Sequence, residues 1–406
     1  MRRKWLILLT VFTVFLFSGC ENKPSDEQLP QGQHSEAQEE IDLIQKQLEA
    51  MTLDEKIGQI LLVGLEGYEL DDHAKEMIEK HRIGGFILYE KNIKDADQLL
   101  ALVNSLKTAN AKNSVPLFLS IDEEGGKVSR LPAELLKLPV AKKIGQVKEA
   151  DFSFEIGNII AEELKSFGLN MNFAPVLDIH SNPKNSVIGD RAFGSDEKVV
   201  REMGVQMMKG IQSGEVVSVV KHFPGHGDTT VDSHIGLPVV EHDLDRLKRF
   251  EWIPFKHAIT NGAEAVMVGH ILFPKIDPQN PATFSKIMIT ELLKEGLEFN
   301  GLVITDDMTM GAIIKHYDIG DAAVKSVLAG SDIILVAHEY EKAKEVIHAL
   351  KEAVANDRIT KNRLDESVYK ILQLKEKYKI KDQPIHGVDI DRLNERIRDT
   401  LRKYLK

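Results

Sequence analysis

VVSVVKHFPGHGDTTVDSH, running from Val216 to His234, joins two kinds of sequence in one stretch. Val216–Val220 is apolar and β-branched apart from Ser218, and it reads as a buried strand. From Lys221 onward the stretch turns polar. Pro224, Gly225 and Gly227 surround His226 and deny it a helix, so a tight loop is expected to present Lys221, His222, His226, Asp228, Asp232 and His234. A buried strand that ends in a knot of ionisable side chains is the mark of a catalytic end of a parallel sheet.

The same pattern recurs on both sides. Short apolar runs, each followed by a longer amphipathic or charged stretch, fall at Ile57–Leu65, Ile83–Tyr89, Leu117–Ile121, Asn170–Leu177, Val216–Val220, Ala265–Gly269, Leu302–Thr305 and Asp332–Ala337. Eight such runs predict a closed (β/α)8 barrel, an α/β fold in one catalytic domain. Polar clusters sit at the ends of several of them: Asp122-Glu123-Glu124, Asp178-Ile179-His180, Lys221 to Gly227, Gly269-His270 and Asp306-Asp307. In a barrel all of these ends open on one face. An open doubly wound sheet would gather its polar groups mainly at one switch point, which fits this distribution less well.

The N-terminus reads differently. Arg2, Arg3 and Lys4 precede an apolar run, Trp5–Phe17, that ends at Ser18-Gly19-Cys20. Roughly 13 apolar residues are short of the ~20 that span a bilayer core, so a secretory leader is expected rather than a permanent span. Cys20, the one cysteine of 406 residues, stands where a lipidated cysteine follows a leader in bacterial lipoproteins. Without a second cysteine no internal disulfide can form, and the exported body must rely on its core. The next residues, to about Gln38, are rich in Gln, Glu, Pro and Ser and read as a flexible tether.

The expected organisation is therefore a leader over 1–19, a tether over 20–40, a barrel over 41–380 and a C-terminal helical tail over 381–406. Within it, helices are predicted from Lys361 to about Ile380 and over Asp389–Leu405. A net charge of −11, more negative still once the leader's three cations are gone, argues against a nucleic-acid partner.

Five stretches carry a resemblance: IDEEGGKVSR (121–130), NFAPVLDI (172–179), IGDRAFG (188–194), KHFPGHGDTTVDSH (221–234) and VITDDMTMGAI (303–313). In this order the chain resembles glycoside hydrolase family 3, in particular its bacterial β-N-acetylglucosaminidase branch. The resemblance implies a retaining enzyme that removes terminal β-linked N-acetylglucosamine, with peptidoglycan fragments as the expected substrate of an exported member. It implies Asp306 as nucleophile and His234, paired with Asp232, as the acid/base. Asp122, Arg130, Arg191, Lys221 and His222 match residues that hold the sugar's hydroxyls, and Asp178 could order them. Glu123 departs from the glutamine that many relatives have.

These roles make chemical sense. Retaining glycosidases need a nucleophile under the anomeric carbon and a proton donor beside the leaving oxygen. An imidazole oriented by a carboxylate can be that donor. Residue type alone does not separate Asp306 from Asp307, which could equally cap the following segment.

The sequence is also compatible with other readings. A β-glucosidase-type or phosphorolytic enzyme of the same family would share most of the motifs, although the family's glucosidases take their acid from a further domain. A non-catalytic sugar-binding lipoprotein would share the leader and tether. A metal site built on His222, His226 and His234 would need a geometry that Pro224 and Gly225 disfavour, so no metal and no cofactor is expected. A monomer, held at the membrane's outer face by a lipid on Cys20, is the expected state.

Overall fold

The computed structural model describes residues 41–405 apart from Asp42 and Thr230, and Ile44–Lys406 forms one compact unit. Cys20, the leader and the tether lie outside the described residues. Among the described residues no helix is long and apolar enough to cross a membrane.

Eight parallel strands run β1 (Leu61–Gly64), β2 (Gly85–Leu88), β3 (Phe118–Ile121), β4 (Met171–Asn172), β5 (Val217–Phe223), β6 (Ala265–Val268), β7 (Leu302–Thr305) and β8 (Ile334–Val336). Neighbours in sequence are neighbours in space, and β1 also pairs with β8. The ring closes between β7 and β8, where the Asp332 and Ile333 N–H groups donate to the Val303 carbonyl and the Thr305 N–H donates to that of Ile333. The result is the expected (β/α)8 barrel. Every strand residue is buried, which explains why the strands read as unbroken apolar runs rather than alternating ones.

Most strand ends fall within two residues of the expected ones, and three move further, each for a local reason. Ile57–Gln59 belongs to a helix, Leu53–Gln59, and not to β1. Its start is set by a capping box in which the Thr52 hydroxyl accepts from the Glu55 N–H and the Glu55 carboxylate accepts from the Thr52 N–H. The fourth run is regular only at Met171–Asn172, because Pro175 has no N–H for a ladder. In contrast, β5 is longer than expected. Lys221, His222 and Phe223 lie in the strand rather than in a loop, since the Leu177 and Gly269 N–H groups donate to the Lys221 and Phe223 carbonyls. The loop begins at Pro224.

Helices Lys361–Lys377 and Ile390–Tyr404 form where they are expected. The second packs on helix Ala150–Ser166 through a Phe152–Tyr404 ring stack and a Lys403–Glu155 ion pair of 2.7 Å. Its Asn394 also reaches the loop after β3, accepting from the Leu136 N–H and donating to the Glu134 carbonyl. This brings the C-terminal segment within one layer of the barrel mouth.

Candidate active site

The C-terminal ends of the strands surround a cavity of about 660 Å³. Asp122, Arg130, Arg191, Lys221, His222, Asp232, His234 and Asp306, the eight cavity residues singled out in the sequence, all line it. They come from the ends of β3, β5 and β7 and from the loops that follow β3, β4 and β5.

One wall is an ionic knot. The Lys221 ammonium is buried and contacts Asp122 at 2.5 Å and Glu124 at 2.7 Å. Glu124 also takes a two-pronged contact from the Arg191 guanidinium, at 2.8 and 2.9 Å. Burial by itself would raise the Glu124 carboxyl, but Lys221 and Arg191 together hold it well below the usual carboxylate range. Burial likewise opposes the Lys221 charge, and Asp122 and Glu124 more than restore it. Sequence alone assigns Glu124 no role; its signal there is the run of three acids at a strand end, Asp122-Glu123-Glu124.

Behind this wall lies Asp178, fully buried and outside the cavity lining. Its Oδ2 accepts from His222 Nδ1 at 2.7 Å, and its Oδ1 accepts from the His226 N–H at 2.6 Å. Although burial opposes its ionisation, these histidines keep its carboxyl below the ordinary range. Asp178 therefore fixes the His222 tautomer, leaving Nε2 as that ring's second polar atom. Both ring nitrogens of His226 are engaged within the loop. Its ring bridges Thr229 and Ser233, at 2.8 and 3.2 Å, and burial, then His222, pushes it down to about 4, so it is neutral. It ties the loop of Asp232 and His234 back to the strand end. Gly227 makes the same loop possible, because a Cβ there would meet the Ile179 carbonyl at 1.7 Å.

The two neighbouring aspartates after β7 are used differently. Asp307 accepts three hydrogen bonds, from the Thr309 N–H (2.9 Å), the Thr309 hydroxyl (2.6 Å) and the Ala337 N–H (2.9 Å). Asp306, in contrast, accepts only from the Asp307 N–H among the described residues, at 2.9 Å. Burial raises the Asp306 carboxyl, but His270 and His222 outweigh it, so it is ionised below its ordinary range. His270 is fully buried and donates from Nε2 to the Asp307 carbonyl at 3.0 Å, which fixes the turn that presents Asp306.

His234 Nδ1 lies 2.8 Å from Asp232 Oδ1, and the same oxygen accepts the His234 N–H at 2.9 Å. The imidazole is two-thirds exposed at the cavity rim. These bonds hold the Asp232 carboxyl below its ordinary range against the opposing effect of burial. With Nδ1 occupied, Nε2 is the nitrogen that can exchange a proton. Among the described residues no three His, Cys, Asp or Glu side chains converge as a metal-ion set.

The chain matches the description "Glycosyl hydrolase family 3 N terminal domain" over residues 52–374. It is 33% identical over 332 residues to Beta-hexosaminidase A of Pseudoalteromonas piscicida, covering 76% of this chain and 56% of that protein. To the Beta-hexosaminidase of Methylobacillus flagellatus it is 34% identical, covering 73% of this chain and 84% of the relative. A solved glycoside hydrolase family 3 beta-N-acetylglucosaminidase from Paenibacillus sp. superposes with a TM-score of 0.84 at 40% identity, over 87% of this chain and 69% of that one.

Proposed function

The chain belongs to glycosyl hydrolase family 3 and is a glycoside hydrolase, and from that premise we propose that it is an exo-acting β-N-acetylglucosaminidase working by a retaining mechanism. Its relatives named as hexosaminidases and the superposed N-acetylglucosaminidase support this choice of sugar. One observation favours the mechanism: Asp306 lines the cavity with one carboxylate oxygen that has no hydrogen-bond partner among the described residues, while a His234–Asp232 pair stands at the rim of the same cavity.

In this reading Asp306 attacks the anomeric carbon, and the bond to the leaving oxygen breaks as His234 Nε2–H protonates it. A covalent glycosyl–Asp306 intermediate results. His234, now neutral, takes a proton from water, which attacks the same carbon and frees Asp306. Asp232 keeps the imidazole oriented and stabilises its cationic form. Asp122, Arg130, Arg191, Lys221 and His222 hold the sugar's hydroxyls. Peptidoglycan fragments are the substrate, and a lipid on Cys20 holds the monomeric enzyme at the outer face of the membrane.

The test is hydrolysis of a matched pair of aryl β-glycosides by protein lacking residues 1–19. Rapid release from the N-acetylglucosaminide and slow release from the glucoside are expected. Turnover that accelerates with phosphate and yields a sugar 1-phosphate would replace hydrolysis by phosphorolysis.

A further inference from the structure

Across the ends of β1, β2 and β8 the cavity has a wall that the proposed mechanism does not use. Tyr89 follows β2 and His338 follows β8, and both line the cavity together with Asp306 and Asp307. Their rings stack with centroids 5.3 Å apart and planes 28° from parallel.

This pair is held from behind. His338 Nδ1 is 3.2 Å from Lys91 Nζ, and Lys91 pairs with Glu66 at 3.2 Å. An ammonium only donates, so Nδ1 is the acceptor and the ring hydrogen of His338 sits on Nε2, 3.8 Å from Asp307 Oδ2. The other Glu66 oxygen accepts from the Glu339 N–H at 3.0 Å, which anchors the segment after β8. The Tyr89 N–H donates to Asn92 Oδ1 at 2.9 Å, and Asn92 donates to the Leu65 and Gly67 carbonyls. Backbone and ring of Tyr89 are thus both fixed.

The phenol itself makes no hydrogen bond to a described residue. Burial, then the carboxylates of Asp307, Asp122 and Asp306, holds it far above its ordinary range, so it is a permanent O–H donor. An apolar ligand group would leave that donor unpaired. An anionic one would meet three carboxylates. A neutral hydroxyl satisfies both conditions.

We propose that Tyr89 is a specificity-determining residue whose phenolic O–H donates to a hydroxyl of the sugar bound over Asp306, with His338 as the positioning residue that fixes its ring. The proposal rests on the reading of Asp306 as the residue beneath the sugar.

Its test uses wild type, Tyr89→Phe and His338→Ala. The parent substrate is whichever aryl β-glycoside the wild type hydrolyses fastest, compared with its 3-, 4- and 6-deoxy analogues. Tyr89→Phe should lose about tenfold in kcat/KM on the parent and almost nothing further on the one analogue that lacks the partner hydroxyl, with an unchanged Tm. His338→Ala should weaken the same discrimination among analogues, which a merely structural role would leave intact. Parent kcat/KM for Tyr89→Phe within about twofold of wild type, or equal losses on all analogues, overturns the assignment of Tyr89. Undiminished discrimination in His338→Ala overturns the positioning role. A wild type that prefers the glucoside would refute the choice of N-acetylglucosamine and leave this comparison intact.

Discussion

The Asp307 N–H donates to Asp306 Oδ1 at 2.9 Å, and beyond that bond the two side chains diverge. Asp307 turns back to join the Thr309 turn to the Ala337 backbone after β8, while Asp306 keeps its carboxylate for the cavity. Substitution should separate the two. Asp306→Ala should abolish turnover and leave denaturant stability unchanged or higher. Asp307→Ala strands the buried Thr309 and Ala337 N–H groups and should cost about 1–3 kcal/mol in stability while retaining measurable activity. Initial rates and urea melts of the two variants decide it.

The His234–Asp232 pair predicts a dependence on the leaving group. His234→Gly and Asp232→Ala should slow glycosides with poor leaving groups by about 10²–10⁴ and activated aryl glycosides much less. A plot of log kcat/KM against leaving-group acidity should steepen in both variants. Equal slopes in wild type and variants would remove His234 from the proton-transfer step.

The loop of His234 rests on the segment after β7. A Cβ on Gly311 would meet the His234 carbonyl at 2.5 Å, and the Lys315 ammonium donates to the Ile235 carbonyl at 2.6 Å. Gly311→Val should therefore push the loop outward. Glycosylation is expected to fall by about 10²-fold or more, since a displacement near 1 Å is enough for that, with only a small change in Tm.

Glu123 predicts a pH dependence of stability. Its buried carboxyl accepts from the Gly125, Arg130 and Leu131 N–H groups, and burial nevertheless pushes it up from 4.5 to about 7. A carboxyl that keeps its proton to higher pH in the native state than in the unfolded chain takes up a proton on folding. Native stability therefore falls as pH rises from 4.5 to about 7, by an amount on the order of 3 kcal/mol. Glu163, lining the same buried space and raised by burial and then by Glu123, acts in the same direction. Glu123→Gln should flatten this slope, as measured by urea melts across that range.

The sequence was most legible where burial was complete. Both faces of each strand are covered, so Phe118–Ile121 and Leu302–Thr305 stand out as largely apolar runs, and their C-terminal neighbours Asp122 and Asp306 as candidate site residues. Boundaries were harder, because they depend on groups outside the run: the Thr52–Glu55 capping box turned Ile57 into a helical residue, and ladder bonds carried β5 through His222. Tyr89 and His338 were not legible at all. They are 249 positions apart and meet only because barrel closure sets β2 and β8 on either side of β1. The separate fates of Asp306 and Asp307 were equally hidden, since identical side chains are told apart only by which backbone N–H groups surround them.

The proposed retaining mechanism stands or falls on a covalent bond from Asp306 to the sugar. Incubation with a fluorinated N-acetylglucosaminyl fluoride that forms the intermediate quickly and hydrolyses it slowly, followed by proteolysis and peptide mass spectrometry, tests this directly. One added sugar residue per protein is expected, localised by fragmentation to Asp306 and absent in Asp306→Ala. An adduct on Asp307 or another residue would contradict the assignment, and inactivation-free turnover with inverted product stereochemistry would contradict the covalent mechanism.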